Sequence, residues 1–320
     1  MIFKTQFYEI IKTSARSANE ITWILLKVYV PLSILSSILK QIGFFELISP
    51  TLYPIMEIMG LPGKASITLF AGFFGNLYAG IATIPALELT ARQVTILGII
   101  LGFSHSLIIE TGILINLRFA SYKIAFFRIS LGIFSGIIAN IILPHNISGV
   151  ILNPYLKQSN DINWFNVIMG IITTLIQIWL LVFFLQFLYE SLRNFYLAHK
   201  LKPTFHKFGS FFGLSAGSII PWMVGLFFGI IYGSGIMLQF VKKGMINHKD
   251  ASLLTIFLIL AHAIIEDSFL FTIIGGNFWI IFLTRISIAF IILKLLSIGN
   301  IYKKLHIIGT ITENNFIKIK

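Results

Sequence analysis

The sequence predicts an all-α polytopic integral membrane protein, with about eight spanning helices in two homologous repeats. Three observations carry this. Of 320 residues, 57% are hydrophobic and 11% are charged, whereas a soluble domain carries about 25% charge. Long apolar runs recur along the chain, and about 20 apolar residues suffice for one spanning helix. Inside two of those runs the same ionisable pattern appears: His105, Glu110 and Arg128, then His262, Asp267 and Arg285. Both copies place the acid five residues after the histidine and the arginine eighteen after the acid. A charge at mid-bilayer depth costs ~2.5–3.5 kcal/mol on insertion scales, so such groups are seldom incidental.

Residues 1–20 place Phe3, Phe7, Ile10 and Ile11 on one helical face, with Lys4, Lys12 and Arg16 among the polar positions. That pattern predicts an amphipathic helix lying in the membrane interface. No small-residue cleavage site follows before Ser37, so the segment does not read as a cleavable signal. Eight apolar segments are expected at about 23–39, 65–87, 93–117, 123–143, 164–188, 211–240, 251–274 and 279–299. Residues 44–59, with Pro50 and Pro54, are too broken for a span and are assigned to the interface. The stretch 144–163 is rich in Pro, Gly and Asn and reads as a linker. The first repeat is thus 21–143, the second 164–299, and 300–320 a basic C-terminal tail.

The halves agree beyond the charged triplet. Gly72-Phe-Phe-Gly-Asn76-Leu-Tyr78 parallels Gly225-Leu-Phe-Phe-Gly229-Ile-Ile-Tyr232. Thr90 and Asn247, both good N-cap residues, each precede their histidine by fifteen positions. Glycines recur at every fourth position, as at Gly98/Gly102, Gly132/Gly136 and Gly225/Gly229/Gly233. Close packing of helices in lipid is the first reading of that spacing. The alternative is that some mark unwound or re-entrant segments lining a cavity, with Pro221 as the expected break in its run.

Several chemistries are excluded or disfavoured. There are no cysteines, hence no disulfide or thiolate site. The net charge of +12 sits in loops and ends, as topology demands, so no nucleic-acid partner is expected. Gly60-Leu-Pro-Gly63-Lys64 has the wrong spacing for a phosphate loop. Neither His-Glu-x-x-His nor a serine elbow is present. No enzyme activity, catalytic residue or cofactor is expected. No metal is expected either, because His262 and Glu266 offer only two ligands.

With 93–117 and 251–274 taken as continuous helices, His105 and His262 fall near the bilayer midplane. Gly275-Gly276 is a turn, and Asp267 and Arg285 lie nine residues either side of Gly276. Glu110 and Arg128 lie nine either side of Phe119. Residues equidistant from a hairpin turn share a depth, so two structural ion pairs are expected, Glu110–Arg128 and Asp267–Arg285. Glu266, four residues after His262, would share its helical face; its counterpart is Ile109. The expected site is therefore asymmetric: His105 on one side, His262 with Glu266 on the other, and Asn76, Tyr78 and Tyr232 lining the pocket.

These motifs resemble the nucleoside recognition (Gate) domain family, which includes spore maturation proteins A and B and the membrane part of ferrous-iron transporter B. The resemblance rests on Leu61-Pro62-Gly63-Lys64-Ala65, the Gly72–Tyr78 motif and His105-Ser-Leu-Ile-Ile-Glu110 in the first half. In the second it rests on Gly229-Ile-Ile-Tyr232-Gly-Ser-Gly235 and His262-Ala-Ile-Ile-Glu266-Asp267. It implies a transporter or permease-like protein with a midplane site for a small polar solute, nucleoside-like, or a proton. The alternative is a non-transporting membrane component whose buried charges only lock its helices. The expected location is the bacterial cytoplasmic (inner) membrane, with the lipid bilayer and a second copy of the chain as partners.

Overall fold

The computed structural model describes residues 2–149, 153–156, 163–194, 207 and 209–298. Among them every regular element is helical. The protein is a polytopic all-α membrane protein, and six helices among the described residues are long and apolar enough to cross a bilayer.

Helix α1 runs from Ile2 to Gln41 without interruption. Residues 1–20 are therefore not a helix of their own, contrary to expectation. Ile10, Ser14, Ala18, Leu25, Tyr29 and Ser33 are buried at helical spacing and form one stripe across residue 20. That stripe keeps the helix in register with its neighbours. The Trp179 indole donates to Asn19 Oδ1 at 2.7 Å, and Phe7 packs edge-on against Phe187. Helix α2 (Phe44–Glu57) follows left-handed Gly43 and carries both Pro50 and Pro54.

Neither 65–87 nor 211–240 is a continuous span. The first comprises α3 (Ser66–Phe70), a π-turn at Ala71–Gly75, extended Asn76 and α4 (Leu77–Leu87). Next come α5 (Ala91–Ser104) and α6 (Leu107–Asn116), separated by His105 and Ser106. Helices α7 (Lys123–Ile142) and α8 (Trp164–Asn194) are straightforward spans. Helix α9 (Ile219–Lys242) is interrupted at Gly229, with φ 84° and ψ −178°. Pro221 does not make that break. It is the third residue of α9, where its missing N–H would have had no intrahelical partner. Helices α10 (His248–Ala261) and α11 (Ile264–Ile273) are separated at His262 and Ala263, and α12 (Phe278–Ser297) closes the described chain.

The two expected N-caps are formed: Thr90 accepts from Gln93 N in a capping box, and Asn247 accepts from Asp250 N. The pairs α5–α6 and α10–α11 form the centre and are largely buried. Helices α1, α7, α8 and α12 surround them with large apolar side chains turned outwards.

Both readings of the glycine pattern find their residues. Gly132 and Gly136 of α7 lie against Ser104 and Ile100 of α5, and Gly98 and Gly102 of α5 against Ile281 and Arg285 of α12. Gly229, by contrast, marks an unwound point. Of the expected linker 144–163, the described part includes Asn153, whose amide donates to Gly170 O and Thr174 Oγ1 of α8. The expected tail, 300–320, lies outside the described residues.

Candidate functional site: four helix breaks around a cavity

A helix that stops inside a membrane protein leaves backbone carbonyls without partners, and in apolar surroundings each must be satisfied. Here arginines do so. Arg128, fully buried on α7, donates from Nε to Phe103 O and from Nη2 to His105 O, both at 2.8 Å. Arg285 on α12 donates to His262 O at 3.3 Å. A cation also suits the negative end of the helix dipole. The freed N–H groups are taken as well: Ser106 N donates to Gly72 O at 2.9 Å and Ala263 N to Gly225 O at 3.2 Å.

Across each break the acid stands in the first turn of the next helix, Glu110 on α6 and Asp267 on α11. The negative charge suits that positive end. Arg128 Nη2 lies 2.7 Å from Glu110 Oε2, and Arg285 Nη1 lies 2.8 Å from Asp267 Oδ2. The four residues proposed as hairpin pairs thus meet as pairs. The geometry adds a task that spacing did not suggest: each arginine bridges the end of one half-helix and the start of the next.

The two histidines also meet. Their ring centroids are 5.2 Å apart, and both side chains are buried. His105 Nδ1 lies 2.7 Å from Leu101 O, and His262 Nδ1 lies 2.5 Å from Leu258 O. A carbonyl only accepts, so each Nδ1 carries the proton and donates. Each Nε2 then faces one atom, Glu110 Oε1, at 3.2 Å from His105 and 3.1 Å from His262.

This corrects the expected division of the site. The shared-face argument for His262 and Glu266 needs one helix through both. Instead Ala263 is left-handed (φ 45°) and α11 begins at Ile264. The acid beside His262 is Glu110, from the other half of the chain. Glu266 accepts from the Tyr78 hydroxyl at 2.5 Å, a second contact between the halves. Sequence reasoning gave Glu110 one partner where it has three. The available signal was its length, since the matching position in the second half holds the shorter Asp267.

A cavity of about 290 Å³ opens where the breaks converge. Its wall contains the unwound residues Asn76, Ser106, Gly229 and Ala263, and the side chains of His105, Glu110, His262 and Glu266. Tyr78 and Tyr232 line it too. Tyr232 is largely exposed, while the Asn76 side-chain oxygen is occupied in capping α4 through Ala79 N.

Residues 22–120 match the family model described as nucleoside recognition (Gate). The chain is 29% identical over 289 residues to the uncharacterized membrane protein YvoD of Bacillus subtilis (strain 168), an alignment covering 88% of this chain and 92% of that protein. No solved structure matches. The segment holding Asn76, Tyr78, His105 and Glu110 lies within the residues that match the nucleoside recognition (Gate) model, and the chain that carries it is a polytopic all-α membrane protein.

Proposed function

We propose that this protein is a permease-like transporter that takes a small polar solute into the cavity between the four helix breaks. The observation that carries this reading is the cavity itself: about 290 Å³, reaching His262 and Glu266. Dry packing would be expected of charges that serve only to lock helices. Broken helices around a polar site are a recurrent way to build secondary transporters, because unwound backbone supplies donors and acceptors where lipid cannot reach. The volume lies at the small end of ligand pockets. The Tyr78–Glu266 hydrogen bond is the exchangeable element, a hydroxyl and a carboxylate that a solute's polar groups can engage in turn. The Gate domain makes a nucleoside the solute class to test first. We place the protein in a bacterial cytoplasmic membrane, in keeping with the bacterial relative.

The test is uptake of labelled nucleosides and other small polar solutes into proteoliposomes, comparing the native protein with Glu266→Gln. We expect uptake to fall roughly tenfold in the variant, the effect of about 1.4 kcal/mol from one charge-assisted hydrogen bond. Unchanged uptake would remove Glu266 from the mechanism. Absence of uptake for every solute would favour a non-transporting membrane component.

A further inference from the structure

We infer that His105, His262 and Glu110 form a binding site for a divalent d-block cation of the Zn²⁺ class. One ligand atom from each residue lies within 4.8 Å of the other two, and all three residues are buried. The argument begins with the tautomer. Both Nδ1 atoms face backbone carbonyls, at 2.7 Å and 2.5 Å, so in the neutral rings both Nε2 atoms present lone pairs. Those lone pairs converge on Glu110 Oε1 at 3.2 and 3.1 Å, and that oxygen also presents lone pairs. Three acceptors aimed at one another repel unless something positive lies between them.

One proton relieves one of these contacts, and two protons would place two imidazolium charges beside Arg128. A single cation satisfies all three atoms together. Two ligands about 2.0–2.2 Å from a tetrahedral Zn²⁺ lie roughly 3.3–3.5 Å apart, close to the two histidine–glutamate separations of 3.2 and 3.1 Å. An imidazole whose second nitrogen donates to a carbonyl is the usual supporting arrangement for a metal-binding histidine, fixing its tautomer and aim. Glu110 keeps Oε2 for Arg128 and leaves Oε1 free for the cation. Two histidines and one carboxylate leave a fourth position open. The ligand residues line the cavity, where Glu266 provides a further carboxylate.

The inference does not depend on transport and is read at equilibrium. The detergent-purified protein is stripped with a chelator and titrated with Co²⁺, whose visible d–d bands report tetrahedral nitrogen–oxygen ligation. Zn²⁺ bound after gel filtration is then counted by mass spectrometry. We expect one Co²⁺ per chain, displaced by Zn²⁺. His105→Asn and His262→Asn keep an amide donor for the carbonyl but remove Nε2, and each should weaken binding at least tenfold. His145→Asn, at an exposed position, should change nothing. A native protein without tetrahedral Co²⁺ bands overturns the inference, and this arm needs no variant to fold. Equal affinity in folded His105→Asn and His262→Asn proteins overturns it as well. Solute uptake measured in chelator is a separate readout, so loss of the metal reading leaves the transport reading standing.

Discussion

At the break between α5 and α6 the acid is Glu110; at the break between α10 and α11 it is Asp267. Each neutralises a buried arginine, at 2.7 and 2.8 Å. Only Glu110 goes further, turning Oε1 to both imidazoles. One methylene of reach separates a carboxylate that serves its own half from one that joins the two. The companion position differs too: Ile109 in the first half corresponds to Glu266 in the second, and Glu266 reaches back to Tyr78 of the first. The two breaks share a scaffold, and their side chains differ in ways that put the shared chemistry at the junction.

The largest effect that could break this comparison comes from deleting the acids. Glu110→Gln and Asp267→Asn each leave a buried arginine without its counter-charge, which costs about 3–5 kcal/mol. Glu110→Gln should be the more damaging in the Zn²⁺-loaded protein, because it also removes the carboxylate that shares the cation with two imidazoles. Equilibrium unfolding in mixed micelles measures both; an equal or larger loss for Asp267→Asn would undo the distinction.

Swapping length tests the same point more narrowly. Glu110→Asp should hold Arg128 but withdraw Oε1 from the imidazoles, so its cost is read in cation binding, a loss of at least tenfold or about 1.4 kcal/mol. In a double-mutant cycle with His262→Asn, that loss should be non-additive; simple additivity would mean that Glu110 and His262 are not coupled.

Two glycines sharpen the packing side. A Cβ at Gly102 would overlap Arg285, whereas one at Gly112 in α6 meets nothing within 4 Å. Gly102→Ala should destabilise by about 1–3 kcal/mol through overpacking. Gly112→Ala should stabilise by up to about 1 kcal/mol through helix propensity. Thermal unfolding of the two variants side by side should give shifts of opposite sign.

The smallest effect concerns the left-handed residues at the breaks, Ser106 (φ 50°) and Ala263 (φ 45°). Replacing Ala263 by glycine relieves strain of about 1–2 kcal/mol but adds unfolded-state entropy, so a net gain under about 1 kcal/mol is expected. Ser106→Gly should behave alike. Opposite signs in the same unfolding assay would show that the two breaks are not mechanically equivalent.

The partners within each half were legible in the sequence. Glu110 and Arg128 are eighteen residues apart around a turn, as are Asp267 and Arg285, and hairpin geometry alone brings such positions level. The breaks were not legible at His105-Ser106 and His262-Ala263, because those dipeptides contain neither proline nor glycine. Taking each run as one helix then carried Glu266 onto the wrong face and left Glu110 with one partner. Pro221 misled in the opposite direction: a strong breaker by type, it sits where a helix begins.

Composition and spacing by themselves determined that this chain lies in a membrane, that it is helical, and which ionisable side chains are held inside. Burial of charge is so costly in lipid that the few charges present must find partners, and local geometry names the nearest. Where the helices open, and which acid faces which histidine, was decided only in three dimensions. An arginine from a later helix takes the carbonyls that an interrupted helix gives up, and a glycine carbonyl from an earlier segment takes its N–H. Those contacts link residues far apart in the chain, and no local pattern encodes them.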